Sequence, residues 1–278
     1  MIVLEWIFAF IFGSCIGSFL NVCIYRLPKQ KSIMKPRSFC PQCQTSISWY
    51  DNIPILSYII LLGKCRSCGQ KISVKYFLVE IITGLIFLSL YSIFGLSWGM
   101  AKFSFLFCLL VLVSFIDIEY RAIPAYLCVM GIIVGLAFNL PESFSLFKKG
   151  VFNLNQLPIV RSFKALLFGL GFVYLFKLFG DIFIDLYLTL RKKESIEGEK
   201  ESLGLGDVDF MGMVGVFLGI KGVVLTFFLA PFFAIIYSIF AFIFKKSHLI
   251  PYLPYLSLAT IVTFFWGNDI FRLLFGIY

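Results

Sequence analysis

Leu203-Gly204-Leu205-Gly206-Asp207-Val208-Asp209 stands between a polar segment, residues 191–202, and an apolar run, residues 210–220. The two glycines give a permissive backbone where the chain approaches the apolar run. A carboxylate then appears at the mouth of an otherwise hydrophobic helix, where a charge is costly and marks function by default. A second carboxylate is placed in the same way: Asp117 follows the apolar run 103–116. Two aspartates at the ends of two apolar helices suggest a dyad held by membrane helices.

The rest of the chain agrees with a membrane fold. Of 278 residues, 60% are hydrophobic and 35 are Phe, and the mean hydropathy is +0.95. A soluble domain does not need this much apolar surface. The expected fold class is all-α, a polytopic helical membrane protein of about eight transmembrane helices with a small cytoplasmic zinc-binding loop. At about 20 residues per crossing, the spans are expected at 2–24, 77–96, 102–116, 123–140, 163–190, 210–220, 223–244 and 255–275. Seven is the alternative count. The first run carries Glu5 early and ends in basic residues. That is the reverse of a cleaved signal peptide, so it is read as a retained helix.

The formal net charge is +9, but the basic residues sit in short loops between apolar runs. They read as topology signals, with membrane lipid as the surroundings and no nucleic acid as partner. Residues 25–75 hold Arg26, Lys29, Lys31, Lys35, Arg37, Lys64, Arg66, Lys71 and Lys75 against the single acid Asp51. The positive-inside rule therefore places this segment in the cytoplasm. Within it, 53–62 is apolar but too short to span, so it lies at the interface or folds back on the protein. Alternation then puts 117–121, 191–202 and the Lys245-Lys246 loop in the cytoplasm, with both termini outside. Residues 142–161 fall outside, although Lys148, Lys149 and Arg161 oppose the rule there. Asp181 and Asp185 share a helical face. They are expected near a cytoplasmic helix end, facing water or Lys177; a second intramembrane acidic site is the alternative. Residues 191–200 read as a solvated linker.

Cys40-Pro41-Gln42-Cys43 and Cys65-Arg66-Ser67-Cys68-Gly69 are two CxxC turns with 21 residues between them. Two such turns supply four thiolates in a tetrahedron, which suits a structural Zn²⁺. Arg37, Lys64 and Arg66 would offset its negative charge. Disulfides are rare in the cytoplasm, and iron fits the same ligands. Cys15, Cys23, Cys108 and Cys128 lie in or beside apolar runs and read as buried small hydrophobes. The single histidine, His248, argues against a histidine-based triad or a His-rich metal site.

These residues together resemble a known family, the bacterial type IV prepilin peptidases, bifunctional leader peptidases and N-methyltransferases of the GxGD aspartic group. The resemblance covers most of the chain. It begins at Gly17-Ser18-Phe19-Leu20-Asn21-Val22-Cys23-Ile24-Tyr25-Arg26-Leu27-Pro28 and continues through the paired CxxC turns. It resumes at Ile72-Ser73-Val74-Lys75-Tyr76-Phe77-Leu78-Val79-Glu80, with Lys75 and Phe77 where the family usually has Arg and Pro. Ile116-Asp117-Ile118-Glu119-Tyr120-Arg121-Ala122-Ile123-Pro124 and Gly204-Leu205-Gly206-Asp207 resemble the two catalytic motifs. Two further departures are Asp209 in place of Lys and Leu253 in place of Gly.

The resemblance implies a catalytic pair, Asp117 and Asp207. Each has an acidic neighbour two residues on, Glu119 and Asp209, pointing about 200° away on a helix. Geometry alone leaves those two open. The implied substrates are type IV prepilins or type II secretion pseudopilins, cut after a Gly at the cytoplasmic face of the inner membrane. The new N-terminus would be methylated with S-adenosylmethionine. Residues 1–98 would be the methyltransferase-associated part, and 99–278 the membrane-embedded peptidase domain. The methyl-donor site is not assigned by any motif; Glu5, Gly17, Asn21, Arg26, Lys75 and Glu80 are its candidates. An ion- or proton-coupled transporter is the alternative reading, but it predicts paired internal repeats that the sequence does not show. A presenilin-like protease would carry a Pro-Ala-Leu motif, which is absent. A purely structural membrane protein would leave the two carboxylates unexplained.

Overall fold

A computed structural model describes residues 2–121, 125–150, 153–191, 202–243 and 251–276. His248, the linker after Arg191, the Lys245-Lys246 pair and the end of the first aspartate motif, Ala122 to Pro124, lie outside the described residues. The elements are α-helices: α1 Ile2–Arg26, α2 Leu56–Ile60, α3 Val74–Phe94, α4 Trp98–Tyr120, α5 Ala125–Lys148, α6 Pro158–Arg191, α7 Leu205–Ile243 and α8 Leu253–Phe275. The chain divides into two compact units, Met1–Ala122 and Ile123–Tyr278.

In the first unit α1, α3 and α4 pack together. Gly13 and Gly17 are four apart on one face of α1, and that face packs closely on α3, against Phe87 at Gly13 and against the backbone of Glu80 at Gly17. A Cβ on Gly17 would lie 2.8 Å from Glu80 Cα. Gly17→Leu therefore forces the helices apart. Overpacking of this kind costs about 1–3 kcal/mol, and the thermal midpoint in detergent should fall; an unchanged midpoint would contradict the contact.

α4 is the core of this unit, with Leu106, Phe107, Leu110, Val113 and Ile116 fully buried. Ser97 caps it by accepting the Met100 amide at 3.3 Å, and it ends at Arg121 in the left-handed region (φ 51°). It is longer than the expected span 102–116 at both ends. An apolar run measures the depth of lipid, whereas backbone hydrogen bonds carry the helix on into the interface.

The segment between α1 and α3 is tied back to the helices. Arg26, buried at the end of α1, donates to the carbonyls of Ser32 (2.9 Å) and Pro36 (2.7 Å). The Ile55 amide, just before α2, donates to Glu80 Oε2 at 2.7 Å, and Tyr58 stacks on Phe77 with centroids 5.0 Å apart. The short apolar stretch thus folds back onto the start of α3.

The second unit contains α5 to α8. α7 is broken at Gly219, which has φ 75° and ψ −178°, a conformation that favours glycine. A Cβ on Gly215 would lie 3.2 Å from Val223 Cγ2, whereas eight residues of straight helix span about 12 Å. The chain therefore reverses at Gly219, and the two arms of α7 on either side of it overlap the expected spans 210–220 and 223–244 as far as Ile243. The first arm, 205–218, is about 21 Å long, short of the roughly 30 Å hydrocarbon core. Buried polar groups bond between helices, as lipid requires. Asn139 Nδ2 on α5 donates to Ser162 Oγ on α6 at 3.0 Å, and Ser162 Oγ donates to the Val216 carbonyl on α7 at 2.9 Å.

Large apolar side chains such as Phe8, Ile133, Phe183 and Phe232 are exposed along these helices. In water this would be an aggregation surface; in lipid it is the solvent face. Among the described residues six helices are long and apolar enough to cross a membrane: α1, α3, α4, α5, α6 and α7. α7 counts once there, although it holds two expected spans. α8, also expected to span, carries Asn268, Asp269 and Arg272 in its second half. The chain is a multi-pass helical membrane protein.

Candidate active site and metal centre

The four cysteines of the two CxxC turns converge. Their sulfurs lie within 4.8 Å of one another, and Cys40 Sγ is 3.9 Å from Cys68 Sγ. Four sulfurs at about 2.3 Å from one ion sit about 3.8 Å apart, so the cluster fits a tetrahedral metal. The two turns are built alike. The Gln44 amide donates to the Cys40 carbonyl at 2.9 Å, and the Gly69 amide to the Cys65 carbonyl at 2.9 Å. The Cys40 amide donates to the Thr45 carbonyl (3.0 Å) and the Cys65 amide to the Gln70 carbonyl (2.8 Å). Each turn is closed by one antiparallel bridge, Phe39 with Ser46 and Lys64 with Lys71. The residue after each second cysteine has positive φ, 61° at Gln44 and 69° at Gly69.

The thiols are poised for a cation. Hydrogen bonds from Thr45 hold the Cys43 thiol down at about 6, and backbone amides of Cys68 and Ser67 lower Cys65. The Gln70 amide favours a Cys68 thiolate, but burial and the other three sulfurs outweigh it and push that thiol up to about 11. A tightly spaced sulfur cluster cannot lose all its protons until a cation arrives. Asp51, the only acid of this basic segment, accepts two bonds from Arg66: Nε to Oδ2 at 2.7 Å and Nη2 to Oδ1 at 2.6 Å. Arg66 holds the Asp51 carboxyl below the usual range. The guanidinium expected to offset the sulfur charge is thus directed at Asp51.

Asp117 lies in the last turn of α4, only 6% exposed, on the buried face of that helix. Glu119, two residues on, points outward and is bound by Lys75 Nζ at 2.7 Å, with 30% of its side chain exposed. The pair is thus divided as helical geometry expects. In the second unit Asp207 opens α7 and is also 6% exposed. Its Oδ2 accepts the Gly204 amide at 3.1 Å, and its own amide donates to the Gly204 carbonyl at 3.1 Å. These two bonds close a tight turn where the chain enters the helix. Asp209 is half-buried. Cys128 lies within electrostatic reach of Asp209 first and Asp207 second, and Tyr252 within reach of Asp207. Neither was among the sequence candidates, because no spacing rule connects them to the motif.

Asp181 pairs with Lys177 at 2.9 Å, as its i,i+4 spacing suggested, and Asp185 is exposed. Cys23 and Cys128 are buried as expected; Cys15 is exposed and Cys108 half-buried. Of the six methyl-donor candidates, Glu5 stands apart, while Gly17, Asn21, Lys75 and Glu80 gather where the end of α1 meets the start of α3. Glu5 accepts from the Tyr91 hydroxyl at 2.5 Å near one end of α1, about 24 Å of helix from Asn21. Asn21 Nδ2 donates to the Tyr76 carbonyl at 2.9 Å. Gly17, Arg26, Lys75 and Glu80 have the packing and bonding partners already described.

Residues 11–94 match the family model of the bacterial peptidase A24 N-terminal domain, and residues 104–239 match that of the type IV leader peptidase family. A prepilin leader peptidase/N-methyltransferase of Myxococcus xanthus is 34% identical over 215 residues, covering 76% of this chain and 56% of the relative. The chain thus spans just over half the length of that relative. Proteins of the same name from Klebsiella pneumoniae and Aeromonas hydrophila are 30% identical over 229 residues and 28% identical over 299 residues. These alignments cover 80% and 97% of this chain, and 89% and 94% of the relatives. No solved structure matches significantly. The matches run through the cysteine turns and both aspartate motifs and leave the transporter reading without support. The chain belongs to the type IV leader peptidase family of aspartic peptidases, homologous along most of its length to prepilin leader peptidase/N-methyltransferases.

Proposed function

We propose that the chain removes the short basic leader from type IV prepilins or type II secretion pseudopilins at the cytoplasmic face of the inner membrane. Asp117 and Asp207 are the catalytic pair. The new N-terminus is then methylated with S-adenosylmethionine. The observation that carries the peptidase reading is the burial of both aspartates at the ends of apolar helices, each 6% exposed. Neighbouring acids are less suited: Glu119 is ion-paired with Lys75.

Peptide hydrolysis by two carboxyls needs one ionised and one protonated. The ionised group takes a proton from water, which attacks the scissile carbonyl; the protonated group hydrogen-bonds the carbonyl oxygen. The amine leaves with a proton returned from the pair. Two carboxyls that share a catalytic water cannot both be ionised cheaply.

The methyl group for the freed amine would come from bound S-adenosylmethionine, an electrophilic methyl donor. Glu5 lies at the far end of α1 from the other candidates, and no residue is assigned to the methyl donor. Cys40, Cys43, Cys65 and Cys68 would hold one structural Zn²⁺, which would stabilise the loop rather than take part in hydrolysis. Mass spectrometry of a prepilin incubated with purified protein and S-adenosylmethionine tests the function. The product should lack its leader and carry one extra methyl group; intact prepilin would contradict the reading.

For topology, residues 25–75 and Ser202 face the cytoplasm. A cysteine placed at Ser202 in a cysteine-free background should resist an impermeant thiol reagent applied to intact cells; labelling there would overturn the orientation.

A further inference from the structure

The approach to Asp207 is fastened to a neighbouring helix. Asp181 on α6 accepts two bonds from Ser202 at Oδ1: the amide at 2.7 Å and the hydroxyl at 2.8 Å. The same hydroxyl lies 3.1 Å from the Lys177 carbonyl, an alternative acceptor. Asp181 Oδ2 accepts from Lys177 Nζ at 2.9 Å, and the Lys177 side chain is only 8% exposed. Gly180 clears the space, since a Cβ there would lie 2.5 Å from Ser202 Cβ. Two residues beyond Ser202, the Gly204 amide and carbonyl hold the carboxylate and amide of Asp207. An unbroken series of bonds therefore runs from α6 through Asp181, Ser202 and Gly204 to Asp207.

An ion pair whose lysine is buried on a membrane helix is costly to keep, and with Asp181 partly exposed it adds little net stability. Its use is the geometry it fixes. The Lys177 ammonium orients the Asp181 carboxylate so that its other oxygen faces Ser202. Without that anchor, the segment 202–204, which ends in Gly204, has backbone freedom where the carboxylate must be held to a fraction of an ångström.

We propose that Asp181 is a positioning residue of the peptidase, acting through Ser202 and Gly204 to set the Asp207 carboxylate. This rests on the reading of Asp207 as catalytic. The test uses the full chain in detergent and three variants: Asp181→Asn, the double variant Lys177→Met/Asp181→Leu, and Asp207→Asn as control. The asparagine keeps an acceptor for the Ser202 amide. The double variant removes the acceptor without leaving Lys177 facing a lost partner, so misfolding from a lone buried charge is avoided.

Prepilin cleavage is measured as kcat and KM, and amide hydrogen exchange is followed at 202–207. In the double variant kcat should fall about ten- to a hundredfold, with KM within about twofold and faster exchange at Ser202. Asp181→Asn should recover most of kcat. A double variant cleaving at the wild-type rate would overturn the proposal, whatever its exchange. So would equal losses in the asparagine and double variants, which would implicate charge alone. If Asp207→Asn cleaves normally, the catalytic reading of Asp207 fails instead. The exchange rates then still decide whether Asp181 holds the segment: unchanged exchange in the double variant would overturn that too.

Discussion

Asp117→Asn and Asp207→Asn should each reduce leader cleavage to background while leaving the protein folded in the membrane. An amide keeps the shape and size of the carboxyl but cannot alternate between carboxylate and acid. General acid–base catalysis contributes typically 10²–10⁴-fold, so either loss should be near-complete in a short assay. The neighbouring acids provide the contrast. Glu119 faces outward and is bound by Lys75, so Glu119→Gln should retain substantial cleavage. Asp209, half-buried and two residues beyond Asp207, should behave likewise as Asp209→Asn. Initial rates on a prepilin in detergent check all four. An active Asp207→Asn beside an inactive Asp209→Asn would mean that the wrong carboxylate of the motif has been chosen.

The second large effect is expected at the cysteine cluster. Purified protein should carry about one zinc per chain. Replacing any one of Cys40, Cys43, Cys65 or Cys68 by Ser should remove most of it, because three thiolates and a hydroxyl bind far less tightly. Metal binding of this kind is folding free energy for the loop that makes the site. The segment between α1 and α3 should therefore become protease-sensitive in each variant. Acidification should act in the same direction, since protons compete with the metal for the thiolates. Peptidase activity is expected to survive better than the loop does, as Asp117 and Asp207 lie on α4 and α7. Elemental analysis finding no metal in freshly prepared, reduced protein would contradict the assignment.

Much of this was legible in the sequence because lipid imposes simple rules. A helix that must satisfy its own backbone in hydrocarbon announces itself as an apolar run, and the runs carrying Asp117 and Asp207 could be read directly. The cysteine turns were legible because metal geometry fixes ligand spacing; Gly69 even marks the positive φ of its turn. Gln44 does the same job at φ 61° with no sequence signal. Helix ends were less legible, since α4 continues through Asp117 to Tyr120 on backbone hydrogen bonds that hydropathy does not register. The fold-back before α2 depends on one backbone amide meeting Glu80, a contact across 25 residues. The bond between Asp181 and Ser202 crosses 21 residues and a polar segment, and no periodicity links two such positions. The methyl-donor candidates came from resemblance alone, and the packing of α1 on α3 accounts for several of them without a ligand.

The claim that Asp117 and Asp207 act as one unit is tested most directly by a double-mutant cycle on the rate of prepilin cleavage. Residues that work together are strongly non-additive. The double variant Asp117→Asn/Asp207→Asn should therefore be no slower than either single variant. Losses that multiply, with the double variant slower than each single by the full factor of the other, would show two independent contributions and contradict a shared catalytic pair.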